Sequence, residues 1–508
     1  MTRHRSERRV TPAELDRLRT PRDDLLRERG DGTDRFVQAN GPFEHYTRTL
    51  TVIDDDSAED GRLTVREQFD WKLAIPVWGF LFVRPVRKAL TNRPTLGTTL
   101  AWAPPDQLDP STVRVFSLLA VLAVFDGYLG SILSQTMTFA ATEFDNSTRD
   151  QSTVLAAVRA GVVISIVLLT VADRHGRRLV LLVTGLLACA LTVLGGLAPN
   201  LWLLGVSQGA ARGVTTALGI LILVVMAEAL PAGSRAYGTS LLALAAALGG
   251  GMAIWLLPLA DLDVAAWRIL YFVPLLFLVP IWWAARQVPE SRRFTDLEEG
   301  PPAGPDTTLG RRLLLLGITS FFLAFFAAPA SQLRNDYLKN ERGMDGSSIA
   351  LFSLVTYAPW GLGVFLAGRM ADLRGRRPVA IVGVLGGAVF TVLGYSTAGV
   401  LLWVFSMTGN FLGAATVPSL GVYGPELFAT RRRGQANAAV NFIAVAGSTL
   451  GLLAIGALAD EQQLGSYGQA FAVAAIAAVI AATLIALRYP ETARKELEEL
   501  NPSDAARR

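Results

Sequence analysis

The sequence contains little cysteine and little histidine. One cysteine, Cys189, and three histidines occur among 508 residues, which excludes a disulfide scaffold and argues against a cysteine or histidine metal site. No glycine-rich phosphate loop precedes a Lys-Ser or Lys-Thr pair, so ATP is not expected to supply energy. Paired carboxylates and nucleophile–base pairs at catalytic spacing are also lacking. We therefore expect no enzyme, no bound metal and no organic cofactor.

Charge is distributed unevenly along the chain. Residues 1–110 hold 36 of the 90 Asp, Glu, Lys and Arg residues, whereas the other 398 residues hold 54. The second part resolves into apolar runs of about 20 residues or more, the length that lets a helix cross roughly 30 Å of hydrocarbon. We count twelve runs, at 112–138, 151–171, 178–197, 201–228, 237–257, 266–287, 311–334, 347–370, 378–397, 400–427, 435–457 and 466–488. The sequence predicts an all-α integral membrane protein with twelve transmembrane helices.

The arginines between these runs indicate the orientation in the membrane. If the first helix runs outward, the inward loops carry sixteen arginines and the outward loops carry only Arg149, Lys339 and Arg342. Positive residues are retained on the cytoplasmic side, so we expect a multi-pass plasma-membrane protein with both termini in the cytoplasm. The arginines do not form one basic face, and we expect the lipid bilayer rather than nucleic acid as a partner.

The most specific pattern is an internal repeat. The segment Ala172-Asp173-Arg174-His175-Gly176-Arg177-Arg178 returns 199 residues later as Ala371-Asp372-Leu373-Arg374-Gly375-Arg376-Arg377. Glu228 with Arg235 returns as Glu426 with Arg433, and Pro289-Glu290 returns as Pro490-Glu491. The pattern predicts two six-helix pseudo-repeats around a central substrate path. The expected divisions are an extension at 1–110, bundles at 111–290 and 311–490, a cytoplasmic linker at 291–310 and a tail at 491–508.

With these motifs the chain resembles the major facilitator superfamily, whose loop between helices 2 and 3 reads G-x-x-x-D-R-x-G-R-R. The second copy keeps Gly368, whereas the first has Leu169 at the glycine position. The resemblance implies that this loop is a latch at the cytoplasmic end, and the candidates are Asp173, Arg177, Arg178, Glu228, Arg235, Asp372, Arg376, Arg377, Glu426 and Arg433. The alternative is that these arginines only determine topology.

Two charges within the predicted helices resemble the coupling pair of proton-coupled sugar-type symporters. Asp126 lies in helix 1, within Phe125-Asp126-Gly127-Tyr128, and Arg212 lies near the middle of helix 4. An ionised group near the bilayer centre is unfavourable unless it is paired or faces water. The resemblance implies that this pair links protonation to substrate binding. The alternative is a static buried pair that holds helices 1 and 4 together.

Arg159, deep in helix 2, favours an anionic substrate, because no acid lies within one or two turns of it. The alternatives are a partner on another helix or extension of the side chain toward the outer surface. Other polar residues predicted to line the substrate path are Tyr128, Gln135, Gln332, Asn335 and Asn410, each of which could instead bind a neighbouring helix. Sugar porters usually carry a glutamine pair on helix 7 and a glutamine on helix 5, whereas helix 5 here has Leu241, Leu242 and Leu244, so a small organic acid is favoured.

These features together predict a secondary transporter that moves a small organic solute, an organic acid or a sugar-like metabolite, by proton-coupled symport with alternating access. The proton gradient would supply the energy, and the functional unit would be a monomer. Two alternatives remain open at this point. One is proton-antiport efflux of amphipathic compounds, and the other is a membrane sensor built on a transporter fold.

The N-terminal extension has a different character. Residues 1–44 are rich in charge, with Gly and Pro interspersed, and are expected to be largely disordered or weakly helical. Residues 45–53 and 62–70 alternate polar and apolar side chains around Asp54-Asp55-Asp56, which predicts a hairpin. The apolar run 73–83 is too short to cross a bilayer, and we expect it to lie in the cytoplasmic interface of the membrane.

Overall fold

The computed structural model describes residues 2–53, 63–92, 100, 102–146, 154–155, 157–290, 308–334, 337–338, 341–344, 346–459 and 466–501. The chain divides into two compact units, Met1–Leu118 and Leu119–Arg508. Most of the predicted linker and the end of the predicted tail, at 291–307 and 502–508, lie outside the described residues.

The first unit contains a five-stranded antiparallel sheet with the strand order β1-β5-β4-β3-β2. The strands are β1 (Thr2–Val10), β2 (Arg27–Gly30), β3 (Arg35–Asn40), β4 (Phe43–Ile53) and β5 (Leu63–Leu73), and the helices are α1 (Pro12–Arg19) and α2 (Gly79–Thr91). The predicted hairpin is confirmed as β4 and β5, in which Tyr46 lies opposite Trp71. The prediction that residues 1–44 are largely disordered is wrong, because three strands and a helix form there.

Both helices of this unit pack on the sheet through apolar side chains. Leu15 and Leu18 of α1 join one buried cluster with residues of β1, β3, β4 and β5. Val86 and Leu90 of α2 join a second cluster around Trp71. The start of α1 is fixed by a capping box, in which the side chains of Thr11 and Glu14 bond to each other's backbone N–H groups. The predicted interfacial run 73–83 begins at the end of β5, continues through a connection at 74–78 and ends in the first turns of α2.

A buried ion network lies between the sheet and α1. Arg48 donates two hydrogen bonds to Glu28, at 2.9 and 2.7 Å, and one to the carbonyl of Leu18 at 2.9 Å. Its guanidinium also lies 4.0 Å from the centre of the Phe36 ring. Both ends of the Arg48–Glu28 pair are fully buried. Removing one partner of a buried pair typically destabilises by about 3–5 kcal/mol, and here the loss is lessened because Glu67 also pairs with Arg48, at 3.3 Å.

We predict that Glu28→Gln lowers the free energy of local opening of β4 by about 3 kcal/mol. Burial raises the pKa of the Glu28 carboxyl, but Arg48 and Tyr46 hold that pKa below its ordinary value of 4.5. The wild-type contribution is therefore complete above about pH 4.5 and is lost as the pH falls through the lower folded pKa. Hydrogen–deuterium exchange of β4 in the intact protein, corrected for intrinsic rates, measures both effects.

Glu44→Gln is the matched control, because Glu44 lies in the same strand and pairs with Lys72 on the surface. An exposed pair contributes about 0–1 kcal/mol, so this variant should exchange like the wild type. Equal exchange in both variants would show that the Glu28 pair does not stabilise the sheet.

The second unit is a bundle of twelve helical spans. They are span 1 (Pro110–Glu143), 2 (Val162–His175), 3 (Arg177–Gly196), 4 (Leu201–Ala229), 5 (Arg235–Trp255), 6 (Arg268–Phe272 with Pro274–Gln287), 7 (Leu309–Gln332), 8 (Gly346–Arg374), 9 (Arg376–Ser396), 10 (Gly399–Gly413, Thr416–Gly421 and Tyr423–Leu427), 11 (Arg433–Leu458) and 12 (Tyr467–Arg488). Among the described residues, eleven helices are long and apolar enough to cross a membrane; span 2 is described over 14 residues. The predicted all-α membrane fold is confirmed.

The repeat seen in the sequence is also visible in the helix packing. Span 5 crosses span 1 so closely that a Cβ at Gly249 would lie 1.8 Å from the carbonyl oxygen of Val124. Span 11 crosses span 7 in the same way, since a Cβ at Gly447 would lie 2.3 Å from the carbonyl oxygen of Phe321. Gly249 and Gly447 correspond in the repeat. Glycine permits both backbone contacts, as is common where membrane helices meet.

We predict that Gly249→Ala lowers the thermal stability of the purified protein, because the new methyl group must push span 5 away from span 1. Overpacking of this kind typically destabilises by about 1–3 kcal/mol. Gly456→Ala, in span 11, is the control: no atom lies within 4 Å of its Cβ position, so this variant should melt at or above the wild-type temperature. A Gly249→Ala protein that melts like the control would contradict the close crossing.

Candidate functional site: an inter-half latch and two cavities

The two halves of the bundle are joined at one end by a pair of exchanged helix caps. Asp173, at the end of span 2, accepts hydrogen bonds from the backbone N–H groups of Gly434 at 3.2 Å and Gln435 at 3.0 Å, at the start of span 11. Asp372, at the end of span 8, accepts the equivalent bonds from Ala236 at 3.2 Å and Tyr237 at 2.8 Å, at the start of span 5. Each half therefore supplies the carboxylate that satisfies a helix N-terminus of the other half.

Buried ion pairs surround these caps, and two of them cross between the halves. Arg433 of span 11 pairs with Glu228 of span 4, and Arg235 of span 5 pairs with Glu426 of span 10 at 3.3 Å. Within each half, Arg177 binds Glu228 at 3.1 Å, and Arg376 binds Glu426. All four arginines are at most 1% exposed. We call this end of the bundle, with its exchanged caps and ion pairs, the latch.

The remaining two arginines predicted for the latch are less buried and bind within their own half. Arg178 donates to the carbonyl of Arg286 at 2.8 Å, and Arg377 donates to the carbonyl of Ala486. Both bonds tie the start of one span to the end of another in the same bundle. Among the described residues these two side chains form no bond across the halves, so the geometry brings eight of the ten predicted residues into the inter-half network.

Sequence reasoning missed two acids of this region. Glu290 accepts hydrogen bonds from the backbone N–H groups of Arg177 at 2.8 Å and Arg178 at 3.1 Å, and so caps span 3. Glu491 caps span 9 in the same manner, through Arg376 at 2.9 Å and Arg377 at 3.2 Å. The recurrence of the Pro-Glu pair 201 residues apart was the signal for this role.

The missing glycine of the first motif copy is compensated on the facing helix. In the second copy, a Cβ at Gly368 would lie 2.8 Å from the carbonyl oxygen of Ala236. In the first copy Leu169 stands at that position, and the residue that corresponds to Ala236 is Gly434. A Cβ at Gly434 would lie 3.2 Å from the carbonyl oxygen of Leu169. Close packing of the halves is kept in both copies, with the glycine moved from one helix to its neighbour.

The chain after span 12 also joins the latch. Arg235 donates to the carbonyl of Lys495 at 3.2 Å and pairs with Glu496 at 3.4 Å. Thr492 accepts a hydrogen bond from Arg376 at 2.9 Å, and the amide of Asn501 donates to the carbonyl of Glu426 at 2.7 Å. The described part of the predicted tail is therefore ordered against both halves.

Asp126 and Arg212 line the same cavity, which has a volume of about 380 Å³ and lies between the halves. Its other lining residues are Ala123, Gly130, Thr215, Thr216, Gly219, Ile220, Ile222, Leu223, Thr239, Leu242, Ala243, Ala246, Val417, Gly421 and Asn441. The two charged groups do not form an ion pair within 4 Å in the described part of the chain. Arg212 donates to the carbonyl of Gly130 at 3.1 Å, and the Oδ1 atom of Asp126 is buried without a hydrogen-bond partner there.

Arg159 is held by a neutral partner from the other half. Its guanidinium donates to the side-chain oxygen of Gln332, at the end of span 7, at 2.7 Å. Two residues predicted for the substrate path are thus brought together, and they bridge spans 2 and 7. Neither is among the residues that line the cavity of Asp126.

The prediction that Tyr128 faces the substrate does not fit its position. The residue is fully buried, and its hydroxyl donates to the carbonyl of Leu270 at 2.8 Å. Its ring packs edge-on against Phe277, so Tyr128 joins span 1 to span 6. Gln135 is half-buried and lines neither of the two cavities. Asn335 lies outside the described residues.

A second cavity of about 300 Å³ lies in the C-terminal half. Asn410 lines it and corresponds in the repeat to Arg212. Arg334, just after span 7, lines it as well and was not predicted. This arginine stands at the boundary of an apolar run, where sequence reasoning assigns cations to the membrane surface. That Arg334 lines a cavity is visible only in the folded structure.

The comparison with known proteins agrees with this architecture. The sequence profile of the Major Facilitator Superfamily matches residues 115–358 and 333–506. The chain belongs to this superfamily. Among curated relatives, the cis,cis-muconate transport protein of Acinetobacter baylyi is 27% identical over 400 residues, which cover 74% of this chain and 94% of that protein.

Two solved structures of the Major Facilitator Superfamily share the fold. The proton:xylose symporter XylE, bound to 6-bromo-6-deoxy-D-glucose, is 18% identical and covers 78% of this chain and 99% of its own, with a TM-score of 0.65. The transporter FucP in the outward conformation is 14% identical and covers 75% of this chain and 100% of its own, with a TM-score of 0.61. This member of the superfamily is a multi-pass membrane transporter of small organic solutes, and not an enzyme.

We predict that Asp173→Asn and Asp372→Asn each weaken the latch. A hydrogen bond to a charged group contributes about 1.5–3 kcal/mol, so each change should raise the population open at the latch by about tenfold to a hundredfold. Spin labels at Leu179→Cys and Leu373→Cys report the separation of the halves, since both side chains are exposed near the latch. The background is Cys189→Ala, which removes the one native cysteine.

Asp263→Asn provides the matched control, because Asp263 is exposed and accepts a bond from its neighbour Val264. The control should keep the distance distribution of the labelled parent. If the two latch variants also keep it, the exchanged caps do not hold the halves together.

Proposed function

We propose that this protein carries a small organic acid across the membrane by proton-coupled symport with alternating access. The observation on which the proposal depends is the arrangement of Asp126 and Arg212, which share one cavity between the halves without forming an ion pair. One group is suited to binding a proton and the other to binding an anion. The cavity is therefore equipped for both partners of a symport reaction.

The surroundings of Asp126 support its assignment to the proton. Its Oδ2 atom faces Gly219, where a Cβ would lie only 2.9 Å away, and its Oδ1 atom is buried without a partner among the described residues. A buried carboxylate that lacks partners is unfavourable while it is charged. Binding a proton removes that charge, so protonation can be linked to the occupancy and exposure of the cavity.

The surroundings of Arg212 support its assignment to the substrate. The guanidinium keeps donors available, because within the described part of the chain it donates one bond, at 3.1 Å, to the carbonyl of Gly130. Thr215, Thr216 and Asn441 add hydrogen-bonding groups to an otherwise apolar lining. Such a site fits a small molecule with an apolar body and a carboxylate. The muconate transport protein is a relative whose name also points to a carboxylate substrate.

We further propose that the latch lies on the cytoplasmic side of the plasma membrane and that both termini are cytoplasmic. The arginine-rich loops support this orientation through the positive-inside rule. In this orientation a closed latch seals the cytoplasmic end, and substrate enters from outside. The cavity lies within one chain, which supports a monomer as the functional unit, and the proton gradient is the energy source.

We predict that Asp126→Asn abolishes accumulation of substrate driven by a proton gradient while exchange of substrate across the membrane continues. The amide cannot bind and release a proton, but it preserves the shape of the cavity. Purified protein in liposomes with an imposed proton gradient, tested with labelled muconate, benzoate, xylose and an amphipathic cation, measures uptake. Counterflow in the absence of a gradient measures exchange.

Arg212→Gln should weaken both uptake and exchange, since it removes the cation that we assign to the carboxylate. Asp263→Asn serves as the control with an unchanged cavity and should retain both activities. Gradient-driven accumulation by Asp126→Asn at the wild-type level would exclude Asp126 as the coupling residue. Competition between protons and substrate in place of cooperation would indicate antiport.

A further inference from the structure

Arg334 is a cation that turns into the cavity of the C-terminal half. Span 7 ends at Gln332, and the arginine follows two residues later. Its guanidinium stacks on the ring of Tyr357, 4.5 Å from the ring centre, and donates to the side-chain oxygen of Asn410 at 3.4 Å. The other polar side chains of the lining include Ser331, Tyr357, Thr391, Asn410 and Thr416.

The partners of Arg334 in the described structure are all neutral. No carboxylate among the described residues forms an ion pair with it, and its Nη1 atom is buried without a hydrogen-bond partner there. The four buried arginines of the latch differ, because each of them pairs with Glu228 or Glu426. A partly desolvated cation without a counter-ion is unfavourable. Among the described residues, therefore, no anion balances the charge of Arg334.

The neighbours of Arg334 hold its guanidinium in a defined plane. The amide of Asn410 donates to the carbonyl of Thr356 at 2.9 Å, which turns its oxygen toward Arg334. Stacking on Tyr357 covers one face of the guanidinium, and the buried Nη1 atom keeps a donor without a partner among the described residues. A planar guanidinium with a free edge can bind a carboxylate through two parallel hydrogen bonds.

The rest of this cavity indicates an organic rather than an inorganic anion. Its lining is dominated by aromatic, aliphatic and small residues, among them Phe326, Ala327, Trp360 and Val384. Apolar walls with a few polar groups are typical of sites for organic molecules. A carbon chain attached to the carboxylate would be in contact with these walls.

The two cavities approach each other along span 10. Thr416 lines the cavity of Arg334, and the next residue, Val417, lines the cavity of Asp126 and Arg212. One cation is thus placed in each half: Arg212 in the N-terminal half and Arg334 beside Asn410, the counterpart of Arg212 in the other half. A solute that reaches both cations needs an anionic group at each end.

We propose that Arg334 binds the second carboxylate of a dicarboxylate substrate, with the first carboxylate at Arg212. This inference rests on the proposed transport of an organic acid and specifies its class. Tyr357 and Asn410 position the guanidinium, and the apolar lining accommodates the carbon chain between the two carboxylates.

The test compares adipate with hexanoate, two acids of equal chain length that differ by one carboxylate. In liposomes with a proton gradient, wild-type protein should accumulate adipate about tenfold or more above hexanoate. Arg334→Gln should lower adipate uptake by about tenfold or more and leave hexanoate uptake within about twofold. Arg334→Lys keeps the charge but loses the planar fork, so its adipate uptake should fall between these values.

Arg342→Gln is the matched control, because Arg342 also stacks on a tyrosine, Tyr337, at 5.0 Å, and lies outside both cavities. Its ratio of adipate to hexanoate uptake should equal that of the wild type. Equal losses for both acids in Arg334→Gln, with normal elution in size-exclusion chromatography, would assign Arg334 a structural role and overturn the proposal. An unchanged ratio in that variant would overturn it as well.

A binding measurement separates this proposal from the proposed function. Adipate should raise the melting temperature of purified wild type and fail to raise that of Arg334→Gln. Adipate binding without proton-driven accumulation would contradict symport and leave the dicarboxylate site intact. Proton-driven accumulation of hexanoate in preference to adipate would support symport and overturn the dicarboxylate site. If neither acid binds, the dicarboxylate site is overturned, and the uptake of muconate and benzoate decides the proposed function separately.

Discussion

A charge buried in a bundle of apolar helices needs a partner, and at the latch the partner comes from the other half of the molecule. Asp173 and Asp372 accept hydrogen bonds from the N-termini of spans 11 and 5. Glu228 and Glu426 each bind two arginines, one from each half. None of these side chains could stay ionised and dry without its counterpart. The need to pair these charges therefore fixes how the two bundles meet.

The same requirement for charge pairing suits the latch to a change between a closed and an open state. Separation of the halves breaks the exchanged caps and the crossing ion pairs together, and water can then solvate the exposed groups. In the alternating access that we propose, the closed and open latch would thus be two discrete states rather than a continuum. In contrast, Asp126, Arg212 and Arg334 are only partly paired among the described residues. In the proposed function, their remaining capacity for hydrogen bonding serves the proton and the solute.

The membrane bundle was largely predictable, whereas in the extension only the hairpin of β4 and β5 was predicted. A span must be apolar over about 20 residues, so composition alone reveals it, and the duplicated motif reveals the symmetry. In the extension, β1 exposes alternate charged residues and buries little besides Val10, so its sequence is similar to that of a disordered segment. The buried pair of Arg48 and Glu28 depends on strands that are not neighbours in sequence, and such pairing has no local signature.

The candidate site was predictable where the repeat marked it, as for the acids and arginines of the latch. The direction of a single side chain was not predictable. Tyr128, predicted to line the substrate path, turns toward span 6, and Arg334, for which no role was predicted, turns into a cavity. The role of a polar residue on a membrane helix depends on which neighbour it faces, and a one-dimensional pattern leaves this open for single residues.

The segment that follows span 12 has a practical consequence for handling the protein. Thr492, Lys495, Glu496 and Asn501 bind groups of both halves at the point where the halves must part. A truncation that removes this segment, or a purification tag or fluorescent reporter inserted within it, would therefore alter the equilibrium between the closed and the open latch. Fusions that begin after Asn501 leave this segment intact. Assays on differently engineered versions of the protein can be compared only when each version retains the segment.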